Sequence, residues 1–311
     1  MEDLLPALEQ ALRDFSSGEA ALIPRQRLKV PKGIYRTMSA ALPNQGVMCT
    51  RMGRHRFDVS PGAEPPKDIV ALFSPQTADL LAIFSSSALG DYRAGAVSAV
   101  ASRYMARPDT RTVAIIGSGK QARTQLMGIA VVVPVVKALV YSPTRRHRLD
   151  FCKEMSALLK LRVEPTDTPR EAVEVADLVV DATNAPGLVM DGNWLRQGTH
   201  VITIRSGYHF DLSSGKERRV IDDSTLSRSE IVVVDSKEQA VLQGTPELTP
   251  LIKEDRVAEL HEVVAGKEPG RINQTQITLF NSFGTALADA AVVSVVYQKA
   301  VEQGLGIEFK T

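Results

Sequence analysis

A glycine-containing turn between two apolar segments has the residue types and spacing that most directly indicate chemistry. The segment 112–122 reads TVAIIGSGKQA. A run of β-branched and small apolar residues is typical of a central parallel strand, and two glycines then let backbone N–H groups approach a pyrophosphate at a helix N-terminus. The full dinucleotide pattern has a small residue three positions after the second glycine. The turn therefore predicts dinucleotide binding, and the alternative is a turn with a purely structural role. The candidate cofactor-binding residues are Gly117, Ser118, Gly119, Lys120, Gln121 and Ala122.

The residues after the next predicted strand indicate which dinucleotide is expected. Many NAD enzymes have Asp or Glu there to hold the ribose 2′-hydroxyl. Here residues 141–147 read YSPTRRH, and no carboxylate comes before Asp150. Arginines and hydroxyls are donors suited to a 2′-phosphate, so NADP(H) is the expected cofactor and NAD(H) the alternative. The candidate donors are Ser142, Thr144, Arg145 and Arg146. The alternative is that these residues are simply the solvent-exposed basic start of a helix and bind no ligand.

Composition restricts the class of protein. The 311 residues are 44% hydrophobic with a formal charge of +1, which suggests neither a nucleic-acid nor a membrane-surface partner. No apolar run is long enough for a membrane span, and the first residues indicate an acidic amphipathic helix rather than a signal peptide. Cys49 and Cys152 are far apart, as expected in a reducing compartment, so we expect a cytoplasmic protein. The five histidines have no metal-ligand spacing, so no metal site is expected.

Strands and helices alternate through the middle of the chain, which predicts a doubly wound parallel α/β sheet. A helix is expected from Lys120 to Ile129 and another over 143–160, and Thr168 to Glu171 has the pattern of a capping box with proline at the first helical position. Thr183, which ends one of the strands, is added to the candidate cofactor-binding residues. The predicted strands are 113–116, 135–141, 161–163, 176–183, 200–204 and 231–235.

The flanking segments have a different character. Residues 21–85 contain short alternating runs, such as those at 68–73 and 80–84, which suggest an antiparallel sheet in a substrate domain. A long helix rich in small residues is expected over 284–303, and we expect it to pack on this first domain.

Several motifs together resemble the ornithine cyclodeaminase/mu-crystallin family. They are GSGKQA at 117–122, MSAALPNQGV at 38–47, SPQTADLLAIF at 74–84, YRAGAVSAV at 92–100, ELHEVVAGKEPGR at 259–271 and ITLFNSFGTALAD at 277–289. The resemblance implies a Rossmann-type sheet inserted in an α+β substrate and dimerisation domain, and hence a homodimer. On this basis residues 109–284 form the NAD(P)-binding domain, and residues 1–108 with 285–311 form the substrate domain. Known activities of the family include ornithine cyclodeamination, alanine dehydrogenation and reduction of cyclic ketimines.

The resemblance also implies two substrate-binding arginines. Arg93 matches the family's carboxylate-binding arginine, although the usual following threonine is Ala94. An arginine at the opening of a helix suits carboxylate capture, and the alternative is a surface pair with Asp91. Arg25, thirteen residues before Met38, matches a second arginine that contacts substrate. The alternative for Arg25 is a basic cluster with neighbouring Arg27 and Lys29.

The chain departs from the family pattern where the family has its active-site lysine and its catalytic aspartate. The lysine would fall at about Met48, so Arg51 or Arg54 would have to supply the positive charge. The loop 205–216, after the fifth predicted strand, reads RSGYHFDLSSGK. Spacing places the aspartate near Ser214, whereas a one-residue gap offers Asp211. The candidate catalytic residues are Asp211 with Lys216, with His209 as a rival proton donor and ordinary loop charges as the alternative.

These observations predict an NAD(P)-dependent oxidoreductase that acts on the C–N centre of a small amino or imino acid. An arginine would bind the carboxylate, and an acid near Asp211 would manage the proton of the nitrogen. Two alternatives remain: ornithine cyclodeaminase, and a nucleotide-binding protein with little or no catalysis.

Overall fold

The structure is a computed structural model that describes residues 1–31, 33–56, 68–185, 187–204, 219–243 and 245–308. By density of contacts the chain divides into two units, Met1–Glu2 with Ala94–Gly284 and Asp3–Arg93 with Thr285–Thr311. No helix among the described residues has the length and apolar character needed to span a membrane.

Ten α-helices lie in the described part of the chain. They are α1 (Leu4–Ser17), α2 (Ser86–Met105), α3 (Lys120–Val132), α4 (Arg145–Leu159), α5 (Pro169–Val173), α6 (Asp223–Arg228), α7 (Lys237–Gln243), α8 (Thr249–Lys253), α9 (Leu260–Val264) and α10 (Ala286–Glu302). Short 3-10 helices occupy Pro43–Gln45 and Gly192–Trp194.

One unit is built on the antiparallel sheet expected from the alternating runs. Its five strands lie side by side in chain order: β1 (Ala21–Val30), β2 (Gly33–Leu42), β3 (Val47–Arg56), β4 (Ile69–Phe73) and β5 (Leu80–Ser85). Helix α10 packs on α1 and on β1 to β4, as predicted for the long helix near the end of the sequence. Because side chains alternate between the faces of a strand, one face of the sheet is buried under this helix. Buried side chains on that face include Met38, Leu42, Cys49, Val70 and Leu72.

The other unit contains a parallel sheet of eight strands. In chain order they are β6 (Thr112–Ile116), β7 (Lys137–Tyr141), β8 (Arg162–Pro165), β9 (Leu178–Asp181), β10 (His200–Thr203), β11 (Ser229–Val234), β12 (Ala258–Glu259) and β13 (Ile277–Asn281). Their spatial order is β12-β11-β13-β10-β9-β6-β7-β8, and every pairing is parallel. The six strands predicted from the sequence are all present with slightly different ends. The prediction omitted β12 and β13, and β13 lies between β10 and β11.

The order of the strands reverses at β6. The chain first builds outward through β7 and β8 and then returns to place β9 on the opposite side of β6. In such sheets a crevice opens at the carboxyl ends of the two strands that flank the reversal, and ligands bind there. The fold therefore puts a candidate ligand site at the ends of β6 and β9.

The predicted start of α5 is correct in all but one contact. Thr168 is the N-cap, and its hydroxyl accepts a hydrogen bond from the N–H of Glu171 at 3.2 Å. However, the Glu171 carboxylate accepts from the N–H of Asp167 at 3.1 Å rather than from that of Thr168. The reciprocal bond of a capping box is thus displaced by one residue.

Candidate active site

The turn after β6 has a backbone shape that only glycine accommodates. Gly117 has φ +119°, and a Cβ there would lie 2.6 Å from the carbonyl oxygen of Ala182 and 3.3 Å from the nitrogen of Thr183. Both atoms belong to the segment that follows β9, so the turn lies directly against the point where the strand order reverses. The position of Thr183 beside Gly117 is therefore fixed by backbone packing.

The N-terminus of α3 is open in the way that an anion site requires. Gly119 is the N-cap residue, and no side chain caps the helix there. A Cβ on Gly119 would meet no described atom within 4 Å. The first N–H groups of a helix need acceptors and carry partial positive charge, so they favour a phosphate. The residues from Gly117 to Ala122 fit the pyrophosphate of a dinucleotide.

Arg123, which the sequence analysis did not single out, holds the carbonyl side of this turn. Its Nη1 donates to the carbonyl oxygens of Ser118 at 2.7 Å and of Gly119 at 3.1 Å. Its other edge binds the carboxylate of Glu154 in α4, with an Nη2–Oε2 distance of 2.7 Å. This pairing lowers the pKa of Glu154. Arg123 thus ties the turn to α4.

The predicted phosphate-binding segment lies at the N-terminus of α4. Arg145 and Arg146 are its first two residues, and both side chains are exposed. Arg146 lies 3.7 Å from Asp150, but at 87% exposure such a pair contributes little to stability. The N-cap residue Thr144 makes no side-chain capping bond. Ser142 is buried, and its carbonyl oxygen accepts from Arg148, so it is the least accessible of the four candidate donors.

The three candidate substrate-binding arginines lie in the unit with the antiparallel sheet. Arg93 is 8% exposed, and its Nε lies 3.4 Å from Oδ1 of Asp289 in α10. Arg51, on β3, donates from Nη1 to the same oxygen at 3.1 Å. Arg25 has its Nη2 3.8 Å from the sulfur of Met38. Because α2 begins at Ser86, Arg93 does not open a helix as predicted, and no helix dipole assists it.

The ion pairs continue from Arg51 to a second carboxylate. Arg51 Nη2 lies 3.1 Å and Arg36 Nη2 2.9 Å from Oδ2 of Asp68. Two glycines make room for these groups: a Cβ on Gly53 would overlap the Asp68 carboxylate, and one on Gly90 would lie 3.1 Å from Arg51 Nη2. The name arginine cluster is used below for Arg25, Arg36, Arg51 and Arg93 together with Asp68 and Asp289.

The pKa shifts in the arginine cluster come from burial and from the charges of neighbouring side chains. Burial lowers the pKa of Arg25 to about 9, and the neighbouring charges of Arg36, Arg93 and Arg27 lower it further, against a smaller opposing effect of Asp289. Burial also lowers the pKa of Arg51, but Asp289 and then Asp68 raise it, and the net shift is upward. An anionic ligand would relieve the repulsion at Arg25, so the cluster is suited to a carboxylate.

Comparison with known proteins identifies the family. The profile of the ornithine cyclodeaminase/mu-crystallin family matches residues 1–304. The chain belongs to this family. A Δ1-pyrroline-2-carboxylate reductase of Bacillus cereus is 30% identical to it over 322 residues, which cover 99% of this chain and 96% of that protein.

Two solved structures are similar over nearly the full length. The Δ1-pyrroline-2-carboxylate reductase of Thermococcus litoralis, in complex with NADH and L-proline, is 31% identical with a TM-score of 0.87, over 99% of this chain and 95% of that one. An archaeal alanine dehydrogenase dimer with bound NAD is 27% identical with a TM-score of 0.88, over 99% of this chain and 94% of that one. The predicted family and fold class are confirmed, and the predicted enzyme class agrees with these relatives.

The position expected for the family lysine faces away from the arginine cluster. On β3, Cys49 and Arg51 contact α10, with the Cys49 sulfur 3.8 Å from the carbonyl oxygen of Ala286. Strand alternation places Met48 and Thr50 on the opposite face, where Thr50 bonds Ser39 at 2.9 Å. Burial and then the charge of Asp289 raise the pKa of the Cys49 thiol, so it is not a nucleophile. Within this segment, Arg51 supplies the positive charge that reaches the cluster.

The three candidate catalytic residues Asp211, Lys216 and His209 lie outside the described residues, so their roles stay predictions. Among the described residues, no group of His, Cys, Asp and Glu could hold a metal ion.

Sequence reasoning missed both carboxylates of the arginine cluster and the amide of Asn281. Asn281 ends β13, is fully buried, and has no partner for either side-chain polar atom among the described residues. The available signal was a polar residue within or beside an apolar run, as in ITLFN and ALADAAVV, which marks a buried polar group.

Proposed function

We propose that this chain is a nicotinamide-dependent oxidoreductase that reduces the C=N bond of a small imino acid of the Δ1-pyrroline-2-carboxylate type. The buried contacts of Arg51 and Arg93 with Asp289 carry this proposal, because they preorganise guanidinium groups for a carboxylate in a chain that also has a dinucleotide turn. A nicotinamide dinucleotide held at residues 117–122 would supply the hydride chemistry. The chain's own residues bind the carboxylate and orient the C–N carbon.

We propose that the proton of the substrate nitrogen comes from a residue of the segment 205–216, which follows β10 in the sequence. Asp211 with Lys216 is the proposed acid/base pair, and His209 is the rival donor. An acid there would protonate the imine nitrogen, which makes the carbon a better hydride acceptor.

The activity is tested by following oxidation of NADPH and NADH with three substrates: Δ1-pyrroline-2-carboxylate, Δ1-piperideine-2-carboxylate, and pyruvate with ammonia. Turnover is expected with a cyclic imine, and Arg93→Lys should raise KM because a bidentate contact is lost. Absence of turnover with all three would refute the proposal. Formation of proline from ornithine with catalytic NAD would indicate the cyclodeaminase instead.

We also propose that NADP(H) is preferred over NAD(H). Arg145 and Arg146 support this, because both guanidinium groups are exposed at a helix start where NAD-specific enzymes have a carboxylate.

We infer that the protein is a homodimer formed through the outer face of the antiparallel sheet. In register across that face lie Ile23, Ser39, Thr50, Ala71 and Ile83. Ile23 is 57% and Ile83 52% exposed, and two exposed isoleucines on one sheet face suit contact with a second copy. The similar alanine dehydrogenase is a dimer.

We also propose a reducing, cytoplasmic location. The free thiols Cys49 and Cys152 support it.

A further inference from the structure

One oxygen of the Asp289 carboxylate contacts two arginines, and the other has no hydrogen-bond partner among the described residues. Asp289 is 2% exposed, and its Oδ1 lies near both Arg51 Nη1 and Arg93 Nε. Its Oδ2 is buried without a hydrogen-bond partner among the described residues. A buried acceptor that lacks a donor is costly. A donor from outside the protein would remove this cost.

Arg93 approaches Asp289 by one edge of its guanidinium group. The Nε edge faces the carboxylate at 3.4 Å. Guanidinium has a second donor edge, made by its two Nη groups, which matches a carboxylate in bidentate geometry. A bound carboxylate on that edge would lie next to Asp289.

We propose that Asp289 recognises the α-nitrogen of the substrate, accepting its N–H at Oδ2, while Arg93 binds the α-carboxylate. The inference rests on the proposed function. In an α-amino acid, and in an α-imino acid whose nitrogen is protonated, the nitrogen and the carboxylate are attached to the same carbon, so a hydrogen-bond donor and an anion lie side by side. A neighbouring carboxylate and guanidinium complement that pair. No proton moves to Asp289 in this role, which is recognition and orientation of the C–N group.

Asp68 is a matched carboxylate in the same cluster. It also pairs with Arg51, through Oδ2, and it has no buried oxygen that lacks a partner in the described part of the chain. If Asp289 served only to hold arginines, the two carboxylates would behave alike when changed.

The test compares L-proline with tetrahydrofuran-2-carboxylate as inhibitors of imine reduction. The two ligands have the same carboxylate and ring size, but the second has an oxygen in place of the N–H donor. The wild-type enzyme should bind proline about ten- to a hundredfold more tightly, as expected for a hydrogen bond to a charged group. Asp289→Asn should abolish this preference. The arginines keep the amide oxygen at the Oδ1 position, so the NH2 group replaces Oδ2 and cannot accept.

Asp68→Asn is the control, and it should weaken both ligands by the same factor and keep the preference for proline. Dinucleotide affinity and thermal midpoint verify that each variant is folded. Equal affinity of the wild-type enzyme for the two ligands would overturn the inference without any variant. So would an Asp289→Asn enzyme that keeps the preference. A wild-type protein that binds neither ligand with dinucleotide present would instead refute the proposed function, and the inference with it.

Discussion

At the scale of single residues, the proposed preference for NADP(H) rests on two exposed side chains at the start of α4. Changing both Arg145 and Arg146 to Ala should lower NADPH affinity about ten- to a hundredfold, because charge-assisted contacts to the 2′-phosphate are lost. NADH affinity should barely change, since NADH has no phosphate there. Calorimetric titration of both nucleotides against wild type and variant measures the effect.

Arg170→Ala is the control for this pair. Arg170 is an exposed arginine of α5 in the same unit, where its Nε lies 2.6 Å from Glu174. It should leave both affinities unchanged. A wild-type protein that prefers NADH would show that the interpretation of residues 142–146 is wrong.

A buried histidine should make the protein sensitive to acid. His200 on β10 has its Nδ1 2.9 Å from the hydroxyl of Thr278 on β13, and burial, followed by the charge of Arg271, lowers its pKa to about 3. The unfolded chain binds this proton near pH 6.5 and the folded chain does not. Stability is therefore present above pH 6.5 and is lost as the pH falls toward 3.

Urea unfolding at pH 7 and pH 5 should show this loss as about 2 kcal/mol of unfolding free energy. His200→Gln should lower stability at both pH values but show a smaller difference between them. His147→Gln, at an exposed position, is the control and should keep the wild-type difference. An unchanged pH difference in the His200 variant would contradict the prediction.

At the scale of elements, one glycine at the start of α3 is expected to serve dinucleotide binding, and another, where α2 packs on α3, is expected to serve stability. Gly119 at the start of α3 has φ −80° and space for a Cβ, so Gly119→Ala should cost at most about 1 kcal/mol of unfolding free energy, which is the difference between glycine and alanine at an N-cap. The added methyl would occupy the place where a pyrophosphate approaches the backbone. Dinucleotide affinity should fall about tenfold or more, as measured by quenching of protein fluorescence.

Gly95 provides the complementary variant. A Cβ there would overlap the carbonyl oxygen of Thr124, and one on Gly128 would lie 2.5 Å from the carbonyl oxygen of Gly95, so α2 and α3 pack backbone to backbone. Gly95→Ala should therefore cost about 1–3 kcal/mol of unfolding free energy. If Gly119→Ala destabilised the fold more than Gly95→Ala did, the assignment of a binding role to Gly119 and a packing role to Gly95 would be wrong.

At the scale of the whole molecule, the proposed homodimer would form through the outer face of the antiparallel sheet. The double variant Ile23→Glu with Ile83→Glu should be monomeric, because two buried charges would oppose self-association. Analytical ultracentrifugation of wild type and variant decides this. Val136→Glu, an exposed apolar position in the other unit, is the control and should stay dimeric. A monomeric wild-type protein would refute the proposed dimer.

Local features of the sequence were enough to predict the dinucleotide turn and the elements around it. Strand, glycine turn and helix follow from apolar periodicity and from backbone conformations that depend on a few neighbouring residues. The same holds for the antiparallel strands and for α10. Family motifs added Arg93 and Arg25, although burial of Arg93 within α2 could not be read from its neighbours.

Only the tertiary structure decided which distant groups meet. Strand β13 comes late in the chain yet lies between β10 and β11, because the order of strands in a sheet is set by long-range packing. Arg51 and Asp289 are separated by 238 residues and share a hydrogen bond of 3.1 Å. No periodicity or spacing connects them, since the free energy of burying such a pair depends on the fold that surrounds it. The sequence was enough to predict a nucleotide turn and candidate carboxylate-binding arginines, and the fold determined that Asp289 lies between two of those arginines.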